Sequence, residues 1–273
     1  MPADASPHPR RGVAFFRDCT DWRVPLVKVF PVLDLRHGVC VRAVAGHRDT
    51  YRPVDMRGLR SPSPLDTARW YREHFGLTEL YVADLSAILG EPPAWESYRD
   101  LERDGFRLWL DAGLGSFASW QIHRDACNPN GGQRRLVAAL ESLASERDFE
   151  TLAPAIVVDD GCFSVDLRHG TLWTNVAEWT GWRPERFVDR IAAVGIRRVI
   201  LLDVGAVGVN SGPGALELCR YCHTSYPELE LISGGGVRGL DDLRRLRDAG
   251  CTAALVATAL QSERLTRDDL DKL

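Results

Sequence analysis

From about residue 28 onward, short apolar runs rich in β-branched residues alternate with longer segments whose apolar positions recur at helical spacing. The runs that predict strands are Lys28–Leu35, Glu79–Asp84, Phe106–Asp111, Arg135–Leu140, Cys162–Leu167, Arg198–Asp203, Leu229–Ser233 and Ala253–Ala257. The segments that predict helices are Pro64–Phe75, Pro93–Asp104, Ser116–Asp125, Ser142–Thr151, Pro184–Val194, Pro213–Tyr226, Leu240–Ala249 and Thr266–Leu273. Such alternation is typical of a parallel sheet. Eight units predict the α/β class and a (β/α)8 TIM barrel, whereas a doubly wound sheet would leave two strands over.

One five-residue string occurs twice, near the ends of the first and fifth predicted strands. Asp-Leu-Arg-His-Gly spans residues 34–38 and again residues 166–170. This internal repeat predicts a barrel built from two duplicated half-barrels. We expect an N-terminal extension over residues 1–25 and one barrel over residues 26–273, with halves at about 26–152 and 153–273. An alternative fifth strand over Ala155–Asp160 stays open, although it lacks the repeated string.

Composition limits the classes of protein to which the chain can belong. Its 273 residues are 45% hydrophobic and 26% charged, which is enough apolar surface for a large buried core. The 34 basic and 38 acidic side chains give a net charge of −4, so we expect neither nucleic acid nor a membrane as partner. Only Lys28 and Lys272 are lysines, which argues against a Schiff-base mechanism. We expect a monomer that recognises a small molecule.

The N-terminal residues and the cysteines indicate the compartment. The apolar run Val13–Phe16 is too short for a signal-peptide core, and no later run reaches the length of a membrane span. Seven scattered cysteines favour reduced thiols. Cys219-Arg-Tyr-Cys222-His223 matches a string used for covalent haem attachment, but its apolar spacing favours an amphipathic helix. We expect a soluble cytoplasmic protein without a metal or another cofactor.

Two aspartates occupy the position where a TIM barrel carries its active site, at the carboxyl ends of the strands. Asp34 lies near the end of the first strand and Asp166 near the end of the fifth. Because these strands face each other across the barrel mouth, we expect both carboxylates to flank one pocket. One carboxylate that removes a proton, opposite another that delivers one, suits general acid–base catalysis. Alternatively, each aspartate caps a loop or pairs with Arg36 or Arg168.

A glycine run after the seventh strand predicts a phosphate site. Glycines let main-chain N–H groups approach a phosphate, and barrels often bind phosphate after strands seven and eight. The turn after the eighth strand would supply the neighbouring contacts. A tight turn without a ligand is the alternative. The residues expected to bind phosphate here are Gly234, Gly235, Gly236 and Thr258.

The same residues resemble a known family. Segment 30–42, Phe-Pro-Val-Leu-Asp-Leu-Arg-His-Gly-Val-Cys-Val-Arg, followed by Gly46 and Tyr51, is similar to the opening of phosphoribosylformimino-5-aminoimidazole carboxamide ribotide isomerase. That enzyme is the Amadori isomerase of histidine biosynthesis. Segments 81–85, 165–167 and 233–236 look like its other strand ends. The likeness spans most of residues 28–262 and is typical of the superfamily that contains this isomerase and a related cyclase subunit.

The resemblance implies a phosphorylated ribotide or aminosugar as substrate and a pair of catalytic aspartates. Asp34 matches the family's general base and Asp166 its general acid. Asp34 would take the C2 proton of an opened aminoaldose while Asp166 assists ring opening, so that an aminoketose forms. By this resemblance, the reaction needs no metal and no redox cofactor.

The chain departs from the family at three strand ends. Gly113, Gly115 and Ser116 occupy a first-half turn that we also assign to phosphate, although the family usually has three glycines and a basic residue there. Segment 139–142 has a glutamate where the family has glycine and a small hydroxyl residue, and segment 203–208 lacks the family's arginine–aspartate pair. Carboxylates in these turns would repel a second phosphate. The further expected pocket residues are Asp84, Asp111, Glu141 and Asp203.

Two other functions stay open. In a diverged sugar-phosphate-binding enzyme of one-carbon cofactor metabolism, within the methanopterin or methanofuran pathways, Asp111 and Glu141 would recognise a cationic or hydroxylated group. A barrel that binds a ligand but has lost turnover would account for the departures after strand six. Three tryptophans after strand five could stack on a ligand or close the barrel mouth; they are Trp173, Trp179 and Trp182.

Overall fold

Eight parallel strands close into a barrel in the computed structural model, which describes residues 27–126, 134–209 and 211–273. The strands are β1 (Lys28–Arg36), β2 (Glu79–Asp84), β3 (Arg107–Asp111), β4 (Arg134–Ala139), β5 (Cys162–Arg168), β6 (Arg198–Asp203), β7 (Glu230–Gly234) and β8 (Ala253–Val256). Each strand pairs in parallel with the next, and β8 pairs with β1, where Lys28 stands opposite Ala253. The predicted TIM barrel is confirmed, and every predicted strand boundary lies within one residue of the observed one.

Helices between the strands cover the outside of the barrel. The longer ones are α1 (Pro64–Phe75), α2 (Trp95–Arg103), α3 (Phe117–Asp125), α4 (Glu146–Val158), α5 (Pro184–Ala193), α6 (Leu216–Ser225) and α7 (Leu240–Asp248). Shorter helical turns span Leu85–Ile88, Thr258–Gln261 and Arg267–Leu270. In α1 the local sequence sets both ends. The Ser63 hydroxyl accepts the N–H of Asp66 at 3.1 Å, Pro64 opens the first turn, and Gly76 ends the helix with φ 73°.

Two apolar layers hold the barrel together. Side chains that alternate along each strand point outward against the helices or inward to the barrel axis. The inner layer includes one side chain from each strand, namely Phe30, Tyr81, Trp109, Val137, Cys162, Ile200, Ile232 and Leu255. The rings of Phe30 and Trp109 lie 5.2 Å apart within it. This packing fills the barrel beneath its mouth, so polar side chains near the strand ends are left to face the mouth.

The helix after β4 differs from its prediction. It spans Glu146–Val158 instead of Ser142–Thr151, and the alternative strand over Ala155–Asp160 is wrong. Residues 156–158 form an Ile-Val-Val run that favours a strand locally. In the barrel, however, Ile156 is buried on the same helical face as Leu152, one turn earlier. Burial of this face against the barrel outweighs the local propensity.

The repeated Asp-Leu-Arg-His-Gly string builds the same hairpin twice. His37 and His169 have φ values of 49° and 52°, and Gly38 and Gly170 have φ values of 80° and 76°. Positive φ at both central residues is the mark of a type I′ turn, which here joins β1 and β5 to short antiparallel strands. Glycine suits the second position because it has no Cβ. The hairpins explain the shared string, while duplication of whole half-barrels stays a prediction.

Some sequence predictions fall on other parts of the chain. The expected extension, residues 1–25, lies outside the described residues, as do Cys19 and Cys127. Cys219 and Cys222 are buried on α6, as predicted for an amphipathic helix. Within the described ranges, no helix combines the length and apolarity needed to cross a bilayer.

Candidate active site

A cleft opens at the carboxyl ends of the barrel strands. Most of its wall is apolar, with side chains such as Leu202, Val207 and Leu255. Four carboxylates also line it, those of Asp34, Asp111, Glu141 and Asp166. Among the residues that the structure describes, no group of three or more His, Cys, Asp or Glu side chains is arranged to hold a metal ion. An apolar cleft with a few convergent polar groups is the usual form of a small-molecule site.

Asp34 and Asp166 reach this cleft from opposite sides of the barrel. Asp34 lies half-buried on β1, and Asp166 lies on β5 with 4% of its surface exposed. The Ser164 hydroxyl donates to Oδ1 of Asp166 at 2.8 Å, and the main-chain N–H of Glu141 donates to Oδ2 at 3.2 Å. The structure therefore brings together the two residues for which the sequence predicts acid and base roles.

The surroundings of Asp166 favour its protonated form. Burial raises the pKa of Asp166 well above the ordinary range of a carboxyl group, and the carboxylates of Glu141 and Asp111 raise it further. A carboxyl group that is removed from water beside other carboxylates is costly to ionise. A general acid must hold a proton at working pH, so Asp166 is suited to proton donation.

Tyr81 places a hydroxyl group at the floor of the cleft. Its Oη donates to Oδ2 of Asp111 at 3.2 Å, and both side chains are buried. Burial raises the pKa of Tyr81 well above its usual value, with the carboxylates of Asp111 and Asp166 as further causes. Tyr81 therefore stays protonated. Tyr81 belongs to segment 81–85, which the sequence analysis singled out. Only the structure shows that its side chain points inward from β2 and reaches the cleft.

Part of the predicted glycine-rich turn borders the cleft. Gly235, Gly236 and Thr258 line it. Gly236 has φ 76°, and a Cβ there would come within 2.6 Å of a neighbouring carbonyl oxygen, so glycine is required. Gly234 ends β7 and is not among the described lining residues. A Cβ built on Gly234 would lie 2.5 Å from the Leu255 carbonyl oxygen, so this position faces the neighbouring strand β8.

The predicted first-half phosphate turn lies outside the cleft. Gly113, Gly115 and Ser116 are absent from its described lining. A Cβ on Gly113 would approach Cα of Ile88 at 2.9 Å, and one on Gly115 would approach the Ser142 carbonyl oxygen at 1.8 Å. The Ser116 hydroxyl caps α3 within a capping box. These residues pack a turn and begin a helix, and their assignment to phosphate stays a prediction.

Asp84 is also absent from the described lining of the cleft, and its expected place in the pocket stays a prediction. It is 1% exposed and accepts main-chain N–H groups of Ala94 at 2.8 Å and Ala87 at 3.1 Å. The Tyr98 hydroxyl donates to the same carboxylate. A buried carboxylate that collects donors in this way fixes the loop after its strand.

Asp203 has the corresponding position at the end of β6, and it too is absent from the described lining. Its carboxylate accepts the main-chain N–H groups of His169 at 3.1 Å, Gly170 at 2.9 Å and Gly205 at 3.0 Å. The first two donors belong to the β5 hairpin. Asp203 therefore fastens that hairpin to the loop after β6, and its expected place in the pocket stays a prediction.

Two loops meet above the cleft. The main-chain N–H of Ala45 donates to the Val207 carbonyl oxygen at 2.8 Å. Gly208 has φ 72°, and a Cβ there would lie 2.2 Å from the Ala43 carbonyl oxygen. Sequence reasoning did not identify this contact, because it joins distant loops and no local pattern signals it.

Of the three tryptophans after β5, Trp173 lines the cleft. Its main-chain N–H donates to the Asp166 carbonyl oxygen at 2.8 Å. Trp179 is fully buried, with its ring 4.8 Å from that of Phe187 on α5. Trp182 packs under the guanidinium of Arg186. One aromatic side chain of this group is therefore placed to meet a ligand.

The family model for histidine biosynthesis proteins matches residues 28–266 of this chain. This chain belongs to the histidine biosynthesis protein family. The match contains all eight barrel strands and every described residue that lines the cleft. The barrel mouth of this chain, where the cleft lies, is the candidate active site.

Several curated proteins of similar length resemble this histidine biosynthesis family member. A protein of Rubrobacter xylanophilus named 1-(5-phosphoribosyl)-5-((5-phosphoribosylamino)methylideneamino) imidazole-4-carboxamide isomerase is 32% identical over 258 residues, 91% of this chain and 96% of the relative. A Desulforudis audaxviator protein of the same name is 28% identical over 250 residues, 87% of each chain. An uncharacterized protein of Methanocaldococcus jannaschii is 27% identical over 249 residues, 89% of this chain and 97% of the relative.

Proposed function

We propose that this chain is an isomerase of the histidine-biosynthesis type that converts an aminoaldose into an aminoketose. The substrate is a phosphorylated ribotide or aminosugar. One observation supports this function above others: Asp34 and Asp166 line a single cleft from β1 and β5, on opposite sides of the barrel. A base and an acid on two sides of a sugar can act on it in the same bound state.

Asp166 acts first, as the acid. Its protonated carboxyl group gives a proton to the ring oxygen while the C1–O bond breaks, and the nitrogen lone pair forms a C1=N iminium. The raised pKa of Asp166 suits this step, because the group holds its proton until the ring oxygen accepts it.

Asp34 then acts as the base. It takes the proton on C2, and the released electron pair forms a C1=C2 bond and neutralises the iminium nitrogen. The aminoenol becomes the aminoketose when C1 gains the proton held by Asp34 and the C2 hydroxyl gives its proton back to Asp166. Both carboxyl groups then have their starting protonation, and the isomerisation consumes no redox cofactor.

The glycine turn anchors the substrate. The backbone of Gly235 and Gly236, together with the Thr258 hydroxyl, borders the cleft opposite the wall formed by β3 and β4. Main-chain N–H groups in a glycine turn are suited to phosphate oxygens. A phosphate held there would orient the sugar between the two aspartates.

The test is turnover of the ribotide named for the relatives, followed by detection of the aminoketose. Asp34→Asn and Asp166→Asn keep the side-chain shape but cannot exchange a proton, so each is expected to lower kcat by about 10²–10⁴-fold. Asp241→Asn is the matched control, because Asp241 lies on α7 with 92% of its side chain exposed.

Circular dichroism on all three variants separates loss of chemistry from loss of fold. Wild-type turnover that survives both cleft substitutions would refute the assigned roles. Ligand binding without turnover in the wild-type protein would instead favour a barrel that has lost catalysis.

A further inference from the structure

The β5 hairpin carries two of the side chains that line the cleft. Asp166 lies on its first strand, and Trp173 directly follows its short second strand, Thr171–Leu172. The main-chain N–H of Trp173 donates to the carbonyl oxygen of Asp166 at 2.8 Å, so the two residues are also joined through the backbone. A displacement of this hairpin would therefore move the proposed acid and an aromatic wall of the cleft together.

The tip of this hairpin is bound by one buried carboxylate of the next strand, that of Asp203. The N–H of His169 donates to Oδ1 of Asp203 at 3.1 Å, and the N–H of Gly170 donates to Oδ2 at 2.9 Å. Oδ1 also accepts the N–H of Gly205 at 3.0 Å, from the loop after β6. Hydrogen bonds to a carboxylate are stronger than those between neutral groups. Asp203 therefore ties the hairpin tip firmly to the loop after β6.

Close packing holds the carboxylate itself in place. A Cβ on Gly214 would lie 2.7 Å from Cβ of Asp203, and a Cβ on Gly205 would lie 2.9 Å from Cε1 of His169. Because both positions are glycine, the segment after β6 can lie directly against Asp203 and against the hairpin tip. Little room is left for the carboxylate or the tip to move independently.

The β1 hairpin, which carries Asp34, is held in a different way. The N–H of His37 at its tip donates to Oγ of Ser86 at 3.2 Å, which is a neutral acceptor. Its second strand, Val39–Arg42, pairs with β1 at three positions and with Arg52–Pro53 on its other side. Among the described strands, the second strand of the β5 hairpin pairs with β5 alone, and at two positions. With less backbone pairing, the β5 hairpin depends more on its carboxylate.

From these contacts we infer that Asp203 is a positioning residue for the active site, which sets the places of Asp166 and Trp173 in the cleft through the β5 hairpin. Asp203 acts through the hairpin, since it is not among the described residues that line the cleft. The effect on catalysis through Asp166 rests on the proposed function. The effect on the position of Trp173 does not, because it follows from the hairpin contacts alone.

Asp203→Asn tests the position of Trp173 without relying on turnover. The variant keeps the side-chain shape but replaces one acceptor oxygen with an amide NH2 group, which opposes a main-chain N–H. In protein labelled with fluorotryptophan, the fluorine NMR resonance that Trp173→Phe removes should shift in Asp203→Asn, while that of Trp70 on α1 stays in place. Ser86→Ala removes the matching acceptor at the β1 hairpin and should leave the Trp173 resonance unmoved. A Trp173 resonance at its wild-type position in Asp203→Asn overturns the inference.

Turnover of the ribotide named for the relatives tests the position of Asp166. Asp203→Asn should lower kcat by about 10- to 100-fold, because a catalytic group displaced by about 1 Å can lose about 10²-fold in rate. Ser86→Ala should change kcat by less than about twofold, because the backbone pairing of the β1 hairpin remains. In an Asp166→Asn background, Asp203→Asn should lower kcat by less than about threefold, since the acid that it positions is gone. Equal losses in the two backgrounds would mean a general effect on the fold, which contradicts a positioning role.

Gly205→Ala disturbs the same contact and leaves the carboxylate in the chain. Its methyl group would meet the ring of His169 and displace the hairpin tip from the loop after β6. The Trp173 resonance should shift and kcat should fall in this variant too. If Asp203→Asn does not fold, Gly205→Ala decides the inference by the same two measurements.

The two proposals fail in different ways. Wild-type turnover, with kcat and the Trp173 resonance unchanged in Asp203→Asn, leaves the isomerase function standing and removes the positioning role. Absence of turnover in the wild-type protein removes the proposed function, while the Trp173 resonance still decides whether Asp203 positions the hairpin.

Discussion

The main-chain N–H of Glu141 donates a hydrogen bond to Oδ2 of Asp166 at 3.2 Å, while the carboxylate of the same Glu141 raises the pKa of Asp166. The two effects oppose each other, since a hydrogen bond to the ionised form favours ionisation and a nearby negative charge disfavours it. Burial and the neighbouring carboxylates prevail, so the pKa of Asp166 lies well above the ordinary range of a carboxyl group. The pKa of the acid in the proposed reaction is thus affected by a residue that also lines the cleft.

Glu141→Gln should move the pH dependence of activity. The substitution removes the side-chain charge and keeps the main-chain hydrogen bond, so the pKa of Asp166 falls. Because the acid must be protonated, activity is lost as pH rises through that pKa, and the alkaline limb of kcat/KM should move to lower pH. Glu178→Gln, an exposed position after β5, is the control. An alkaline limb that stays in place or moves to higher pH would contradict this coupling.

Asp203→Ala should destabilise the barrel mouth. Three main-chain N–H groups lose their buried acceptor, which is expected to lower the free energy of unfolding by roughly 2–4 kcal/mol. Urea unfolding measures the change. Asp241→Ala, which removes an exposed carboxylate, should change the free energy of unfolding by less than about 0.5 kcal/mol. Equal losses in the two variants would mean that Asp203 does not fasten the β5 hairpin.

Gly208→Ala should disturb the contact between the loops above the cleft. Gly208 and Gly58 have similar φ values, 72° and 78°, but only the Cβ at Gly208 meets a neighbour, the Ala43 carbonyl oxygen at 2.2 Å. Gly58→Ala therefore measures backbone strain alone. Gly208→Ala should lower the free energy of unfolding by about 1–3 kcal/mol more than Gly58→Ala does. Its KM should also rise, because the two loops above the cleft must shift to make room for the new methyl group. A KM equal to that of Gly58→Ala would show that the contact between these two loops does not shape the binding site.

Trp173 should report ligand binding. Its side chain lines the cleft, whereas Trp182 packs against Arg186 outside it. Titration with the ribotide should change the tryptophan fluorescence of the wild-type protein and of Trp182→Phe, and the change should disappear in Trp173→Phe. The affinity of Trp173→Phe should fall about two- to tenfold, the equivalent of one lost aromatic contact. A full fluorescence response in Trp173→Phe would place the ligand elsewhere.

Much of the barrel could be predicted because its signals are local. Apolar runs and helix caps depend on neighbours in the chain, so the strands were found to within one residue and α1 was found with both of its ends. The helix α4 departs furthest from its prediction, since its Ile-Val-Val run favours a strand and burial against the barrel makes it helical. The placement of Asp34 and Asp166 at the barrel mouth could also be predicted, because the carboxyl end of a strand can be located from the sequence alone.

The sequence by itself determined the alternation of strands and helices, the repeated Asp-Leu-Arg-His-Gly string, and which strand ends carry acids. Only the tertiary structure decided which of those acids face the cleft. Asp111 and Asp166 line it, while Asp84 accepts main-chain donors from the loop after its own strand and Asp203 accepts donors from the β5 hairpin. The physical reason is that a buried carboxylate turns to the N–H groups it meets, and which groups those are depends on how the loops fold and, for Asp203, on the neighbouring hairpin that the closed barrel places beside it.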